Sequence, residues 1–271
     1  MCYHTHEMNK KQNQKKVLLS IAGFDPSGGA GILLDVQVFK SMGFAGMAVP
    51  TADTVQNTLS VKAMHPHDEN TLLRQYRVLK EDISFSGIKV GMIGSQANLF
   101  AIGSILTENQ GLPIVVDPVL SSSSGLSLLE DQAVEEFISV FAGKAAIITP
   151  NVPEAVRISG IAIKDLRSAS DAARKINKKM NAACLLKGGH LPGDPVDILF
   201  DGKQEFRWKR KRHAADVHGT GCFLSSAVLG FLVQGFSLAH ACEKAGHWTS
   251  QAIKNAVVLG KGRKVIDLTN S

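Results

Sequence analysis

Short, continuous apolar runs alternate with longer amphipathic segments over most of this chain. The runs lack the polar alternation of half-exposed strands, which is typical of strands covered on both faces. They span residues 17–22, 47–50, 88–90, 114–117, 146–149 and 184–187. Because strands that alternate with helices are joined by long crossovers, this pattern predicts an α/β fold whose mostly parallel sheet is flanked by helices.

Helical periodicity fills the segments between these runs. The predicted helices span residues 32–41, 68–80, 96–107, 131–141, 168–180, 221–233 and 238–257. Near the C-terminus, residues 196–200 and 204–208 flank Asp201 and Gly202, a pair that favours a small C-terminal hairpin. Since no linker or internal repeat interrupts the pattern, we expect one domain over residues 17–271.

The composition indicates an ordinary globular protein, with 44% hydrophobic and 20% charged residues in a chain of 271. Residues 1–16 are polar and contain no apolar core, so we expect a flexible N-terminal tail and neither a signal peptide nor a membrane anchor. Four scattered cysteines without a CxxC pair favour a reducing compartment. The chain is therefore expected to be cytoplasmic, with no membrane partner.

The net charge of +6 makes an anionic ligand plausible, and residues 207–213 form the densest basic run. Trp208 within this run could stack on a nucleic-acid base. Alternatively, the run is a solvated strand or loop near a phosphate site. We favour the second interpretation and expect no nucleic-acid partner, because a single basic run seldom forms a nucleic-acid footprint.

Two glycine-rich segments stand at the start of predicted helices. Residues 23–31, GFDPSGGAG, join the first strand to the first helix, and no GxxxxGK[ST] motif occurs in the chain. The first segment could equally be a binding loop or a tight turn. The second, HGTGC at residues 218–222, opens an apolar helix whose amide groups could bind an anion. In that setting we expect Cys222 to have a lowered pKa, whereas Cys184 and Cys242 fit buried structural positions.

Polar residues also follow several other strands. Asn151 and Glu154 fit either a hydrated magnesium site or the capping box of a helix. Lys187 could reach a phosphate oxygen, and Asp117 could serve a cation site or a turn. Residues 53–58 form a further polar segment that could contact a ligand. The carboxyl ends of parallel strands meet at one edge of a sheet, so we expect these residues to gather there.

The motifs AGFDPSGGAG, QNT, KVGM, DPV, TPNVPEA, KGGH and HGTGC occur in this order. In combination, over residues 17–253, the chain resembles the hydroxymethylpyrimidine/phosphomethylpyrimidine kinases of the ribokinase superfamily. The resemblance implies a three-layer α/β/α ribokinase-like fold without a separate β lid, and a homodimer. It also implies ATP and Mg2+ as cofactors. The implied activity is phosphorylation of hydroxymethylpyrimidine, and also of its monophosphate, in thiamine biosynthesis.

The same resemblance implies roles for individual residues. Cys222 stands where superfamily relatives carry a catalytic aspartate, and Lys187 would meet the transferring phosphate. The backbone of Gly219, Thr220 and Gly221 would form an anion hole. The residues implied at the substrate are Gly23, Asp35, Val55, Gln56 and Met92, and those implied at the metal are Asn151, Glu154 and Asp117.

The chain departs from the family pattern in three places. They are Asp53, where an apolar residue is usual, the pair Leu33 and Leu34, and the serine run Ser121 to Ser124. A pyridoxine or pyridoxal kinase of the same superfamily is the main alternative. Gln56 favours the aminopyrimidine, because an amide pairs with adjacent ring nitrogen and amino groups. A non-catalytic nucleic-acid-binding or regulatory protein on a kinase scaffold is the more distant alternative.

Overall fold

The computed structural model describes residues 15–120, 133–190, 193–213 and 216–269. Residues 1–14 of the predicted tail, which was placed at residues 1–16, and the serine run at residues 121–124 lie outside them. Within the described ranges, eleven strands form a nine-stranded sheet in the order β3-β2-β1-β4-β5-β6-β7-β8-β9 and a separate β10–β11 pair. The strands are β1 Val17–Phe24, β2 Ala45–Gln56, β3 Val61–Pro66, β4 Gly87–Val90, β5 Ile114–Val116, β6 Ile147–Ile148, β7 Ala183–Leu186, β8 Val196–Phe200, β9 Glu205–Lys209, β10 Val217–His218 and β11 Lys264–Val265.

The middle of the large sheet is parallel from β2 to β7, while the edge pairings β2–β3, β7–β8 and β8–β9 are antiparallel. Eight α-helices occur in the same described ranges and cover both faces. They are α1 Gly31–Ser41, α2 Glu69–Asp82, α3 Gln96–Glu108, α4 Ala133–Phe141, α5 Val152–Ser159, α6 Leu166–Met180, α7 Thr220–Val233 and α8 Leu238–Lys254. None of these helices meets the length and apolarity that crossing a membrane requires.

Two apolar cores separate the helices into two layers. Side chains of α2 to α6 pack in one core and side chains of α1, α7 and α8 pack in the other. Strand β1 contributes to both, because successive strand residues point to opposite faces: Leu19 lies in the first core and Leu18 in the second. The predicted three-layer α/β/α architecture is therefore confirmed.

Local sequence explains where the two site-bearing helices begin. Helix α5 starts with a capping box, in which Asn151 accepts from the Glu154 amide and Glu154 accepts from the Asn151 amide. Helix α7 starts after Gly219, whose φ of +80° suits glycine. A Cβ at Gly219 would also overlap the backbone oxygen of Gly29, so two glycine-rich loops meet here.

The largest difference from the predicted elements lies in β2. The sequence pattern placed the end of this strand at Pro50, but β2 continues to Gln56 and pairs with β3 in an antiparallel hairpin. Residues 53–56 are polar or half-exposed because this part of β2 extends beyond the covered sheet, and an apolar pattern cannot reveal it. The predicted C-terminal hairpin is confirmed as β8 and β9, which join the edge of the central sheet.

Candidate active site

A cleft of about 740 Å³ opens at the carboxyl ends of the parallel strands, and we call it the active-site cleft. It is lined by side chains or backbone that directly follow β1, β4, β5, β6 and β7, as expected for a sheet of this type. Most of the predicted site residues meet there. Those that line it are Gly23, Gln56, Met92, Asp117, Asn151, Glu154, Lys187, Gly219, Thr220, Gly221 and Cys222.

Lys187 and Asp117 form an ion pair at the bottom of the cleft, with Lys187 Nζ 2.9 Å from Asp117 Oδ1. The Thr149 hydroxyl donates to the same oxygen at 3.1 Å. Burial would raise the pKa of Asp117, but the ammonium groups of Lys187 and Lys89 hold it below its ordinary value. Burial would likewise lower the pKa of Lys187, but Asp117 and then Glu154 raise it, so the ammonium stays charged.

This ion pair lies against the first turn of α7. A Cβ placed on Gly221 would be 3.1 Å from Lys187 Nζ and 3.6 Å from Asp117 Oδ2. Gly219, the residue before the helix, supplies no side chain to cap the first amide groups. Free amide groups at a helix start and a nearby ammonium both attract anions, so this corner of the cleft is suited to a phosphate.

Cys222 lies in the same first turn, but its predicted thiolate character is wrong. Burial raises the pKa of the Cys222 thiol to about 11, even though Lys89 acts to lower it. The carboxylates of Asp35 and Asp117 add to the rise. The helix start therefore does not decide the charge of this thiol, because two buried carboxylates and the loss of water outweigh it. Cys184 and Cys242 are buried, as predicted.

Asn151 and Glu154 border the cleft and also cap α5, so the capping box is present and the magnesium site stays a prediction. Burial raises the pKa of Glu154 to about 7 against the lowering effect of Lys187, and Asp117 adds to the rise. No group of three or more His, Cys, Asp or Glu that could hold a metal occurs among the residues that the structure describes. Two carboxyl groups and an amide oxygen suit a cation that takes its other ligands from water and phosphate.

Two predicted substrate residues do not line the cleft. Asp35 is fully buried on α1, and its carboxylate accepts from Ser20, Lys89 and Ser226. Val55 is half exposed and points away, because strand alternation turns Thr54 and Gln56 toward the cleft instead. These placements correct the prediction that Asp35 contacts the pyrimidine and that Val55 lines the pocket.

Sequence reasoning gave no role to three polar residues of the cleft. His218 Nε2 lies 2.9 Å from Asp25 Oδ2 and 2.8 Å from the terminal nitrogen of Gln56. Lys89, fully buried beside the cleft, pairs with Asp35. The sequence could have indicated each of them. Lys89 is a lysine inside an apolar strand, and Asp25 and His218 each belong to a glycine-rich motif.

Asp53 and the basic run, which the structure describes, fall at the edges of the cleft or outside it. Asp53 faces outward and pairs with His67 at 3.0 Å. In the basic run, Arg207 pairs with Glu205 in the outer strand β9. The following residues, numbered 210–213, line the rim of the cleft.

Comparison with known proteins places the chain among small-molecule kinases. A family model described as phosphomethylpyrimidine kinase matches residues 25–267. The hydroxymethylpyrimidine/phosphomethylpyrimidine kinase of Aquifex aeolicus is 39% identical over 253 residues, which cover 93% of this chain and 99% of that relative.

Two solved kinase structures are similar to this chain. The crystal structure of phosphomethylpyrimidine kinase from Clostridium difficile 630 is 36% identical, has a TM-score of 0.78, and aligns with 88% of this chain and 100% of its own. The pyridoxal kinase from Staphylococcus aureus in complex with AMP-PCP is 27% identical, with a TM-score of 0.85 and coverage of 94% and 93%. The higher TM-score goes with the lower identity, so the backbone does not separate these two activities.

Proposed function

The chain belongs to the phosphomethylpyrimidine kinase family, and from this membership we propose that it uses ATP to phosphorylate 4-amino-5-hydroxymethyl-2-methylpyrimidine in thiamine biosynthesis. The observation that carries the proposal is the first turn of α7, where Gly221 lies beside the Lys187 ammonium and Cys222 lines the same cleft. A transferring phosphoryl group needs this combination of positive charge and hydrogen-bond donors.

In the proposed reaction, the substrate hydroxyl lies beside Cys222 and attacks the γ-phosphorus in line with the departing ADP oxygen. Positioning and charge stabilisation supply most of the rate, because the transition state is largely dissociative. Lys187 and the amides of Gly219, Thr220 and Gly221 stabilise the charge on the phosphate oxygens. Cys222 can accept the alcohol proton only as the thiolate, so its own proton must first leave for solvent. Because its pKa is raised to about 11, this ionised form is a minor one at neutral pH.

Magnesium fits this site. Asp117 and Glu154 raise the electrostatic cost of each other's charge, and a cation beside them would relieve it. Asp117, Asn151 and Glu154 would hold the ion, which supplies positive charge to the nucleotide phosphates when bound. With Asp117 and Glu154 bound to the ion, the ammonium of Lys187 would stay directed at the start of α7.

A pyridoxal kinase activity is the competing proposal, because that neighbour aligns with the higher TM-score. We favour the pyrimidine because substrate choice is made by side chains, and sequence identity is higher to the phosphomethylpyrimidine kinases. Phosphorylation of the monophosphate, a homodimer and a cytoplasmic location remain predictions. The three cysteines within the described residues are free thiols, in keeping with a reducing compartment.

The test is turnover with hydroxymethylpyrimidine, pyridoxine and ribose, each with ATP and with or without a chelator of divalent metals. We expect the highest kcat/KM for hydroxymethylpyrimidine, and no turnover once the metal is removed. A higher kcat/KM for pyridoxine would replace the proposed substrate with the competing one. Activity that survives complete metal removal would contradict the magnesium site.

A further inference from the structure

Three polar side chains meet end to end on one wall of the active-site cleft. Asp25 Oδ2 lies 2.9 Å from His218 Nε2, and the same imidazole nitrogen lies 2.8 Å from the terminal nitrogen assigned to Gln56. The other carboxylate oxygen of Asp25 accepts from the amide and hydroxyl of Ser27, at 2.9 and 2.7 Å. All three of Asp25, Gln56 and His218 line the cleft.

His218 Nε2 cannot satisfy both neighbours as they are placed. An imidazole nitrogen either carries one hydrogen and donates it, or carries one lone pair and accepts. Burial would raise the pKa of Asp25, but the bonds from His218 and Ser27 hold it below its ordinary value, so this carboxylate only accepts. Nε2 of His218 must therefore carry the hydrogen and donate it toward Asp25.

The Gln56 amide must then present its oxygen, and not its NH2 group, to His218, because an NH2 group would set two donors against each other. The one Nε2 hydrogen is shared between Asp25 Oδ2 and the Gln56 oxygen. A half-turn of the amide exchanges its oxygen and nitrogen without moving the side chain, so the two orientations differ only in their partners. The contact of the amide with Thr54 is consistent with this orientation. Thr54 donates its one hydroxyl hydrogen to the Phe24 carbonyl at 3.0 Å and lies 3.3 Å from the atom assigned as Gln56 Oε1. Thr54 can therefore accept from Gln56 but not donate to it.

We propose that His218, held by Asp25, is a positioning residue that fixes the Gln56 amide so that the cleft selects a ring with an amino group next to a ring nitrogen. In this orientation Gln56 keeps one N–H and one oxygen lone pair for a ligand. A 4-aminopyrimidine offers the matching acceptor and donor, whereas a pyridine without the amine leaves the amide oxygen unpaired. The inference rests on the proposed function and explains its choice of substrate.

The first measurement needs no substrate. Nitrogen NMR on isotopically labelled, ligand-free protein distinguishes a protonated from an unprotonated Nε2, and the His218→Gln spectrum assigns the signal. We expect a protonated Nε2 in the wild type, and a population without this hydrogen in Asp25→Asn, where the new amide can donate to the ring. An unprotonated Nε2 in the wild type would overturn the proposal, whatever the enzyme phosphorylates.

The second measurement is selectivity, the ratio of kcat/KM for hydroxymethylpyrimidine to that for pyridoxine. His218→Phe keeps a ring at this position but removes both nitrogens, so we expect the ratio to fall roughly tenfold, as for one lost hydrogen bond. The loss should be mainly in KM, with kcat little changed. His218→Gln, which retains an N–H near the position of Nε2, should restore most of the ratio.

His67→Phe is the matched control, because it removes a His–carboxylate contact of similar length outside the cleft. We expect its ratio to equal that of the wild type. An unchanged ratio in His218→Phe, or a loss equal for both substrates, would show that His218 is only a structural residue. Absence of turnover in the wild type would refute the proposed function instead, and the NMR result would still decide the role of His218.

Discussion

Lys89 Nζ lies 2.8 Å from Asp35 Oδ2, and neither side chain is exposed to solvent. Ser20 and Ser226 donate to the same carboxylate, so the pair joins β1, α1, β4 and α7. Asp35 therefore affects the site although it does not line the cleft. Its charge opposes ionisation of the Cys222 thiol, whereas the charge of Lys89 favours it. A buried pair of this kind depends on both partners.

Removing one partner should therefore destabilise the protein strongly. We expect Asp35→Ala to lower the free energy of unfolding by about 3–5 kcal/mol, because it leaves the Lys89 ammonium buried and unpaired. The double variant Asp35→Leu with Lys89→Met should lose less than Asp35→Ala. Urea unfolding measures both. Lys80→Ala, which breaks the exposed pair with Glu108, is the control and should cost at most about 1 kcal/mol.

Lys187→Ala should lower kcat about a hundredfold or more, because it removes a charge that stabilises the phosphate oxygens in the transition state. Steady-state kinetics with saturating ATP and magnesium measures the change. Lys209→Ala is the control, since Lys209 is exposed and pairs with Asp194 on the outer hairpin. Wild-type kcat in Lys187→Ala would exclude the lysine from phosphate transfer.

Cys222→Ala should lower kcat by about a hundredfold if the thiol accepts the alcohol proton. The resting thiol should also react slowly with iodoacetamide at neutral pH, and faster as the pH approaches about 11. Cys184→Ala and Cys242→Ala, in the two cores, should change stability and leave kcat nearly unaltered. Full activity of Cys222→Ala would assign catalysis to the anion hole alone.

Glu154 should make the stability of the ligand-free protein fall as the pH rises. Its pKa of about 7 in the fold lies above its ordinary value of 4.5, so the folded state binds the proton more tightly than the unfolded state. The stabilisation is fully present below the unfolded value and is lost as the pH rises toward 7. Glu154→Gln should therefore become more stable relative to the wild type across this window, as measured by urea unfolding at several pH values without metal. A pH-independent difference would contradict the raised pKa.

Gln56→Leu should lose on the order of 1–3 kcal/mol of transition-state binding to hydroxymethylpyrimidine, because the ring's amino group and nitrogen lose their partner. The kcat/KM for pyridoxine should change less, and the KM for ATP should stay the same. Equal losses for both substrates would show that Gln56 does not read the ring.

The fold was predictable from the sequence because each buried parallel strand appears there as a continuous apolar run. Each apolar run became a strand, and the glycine-rich starts placed α1 and α7 correctly. The family resemblance is confirmed by the match over residues 25–267. The extension of β2 was missed because its last residues are polar or exposed, so they form no buried apolar run.

For the site, the motifs predicted only which residues gather at one edge of the sheet. Motifs placed Lys187, Asn151, Glu154 and Gly219 at one edge, but they carry no information on where a side chain points. Asp35 lies just after the first glycine-rich motif, and its side chain turns inward, where it is paired with Lys89 and two serines. The pKa of Cys222 could not be predicted for the same reason, because it is raised by burial and then by carboxylates that are distant in sequence.

The contact between the loop at Gly29 and the start of α7 at Gly219 also has a consequence for synthesis of the protein. These residues lie 190 positions apart, so a nascent chain emerging from the ribosome holds its first binding loop long before the partner exists. Until α7 and α8 emerge, α1 has no helices to pack with over the second core, and Asp35 lacks Ser226. Folding of this face must therefore wait for the last fifth of the chain, and until then the apolar side of α1 has no helix to cover it.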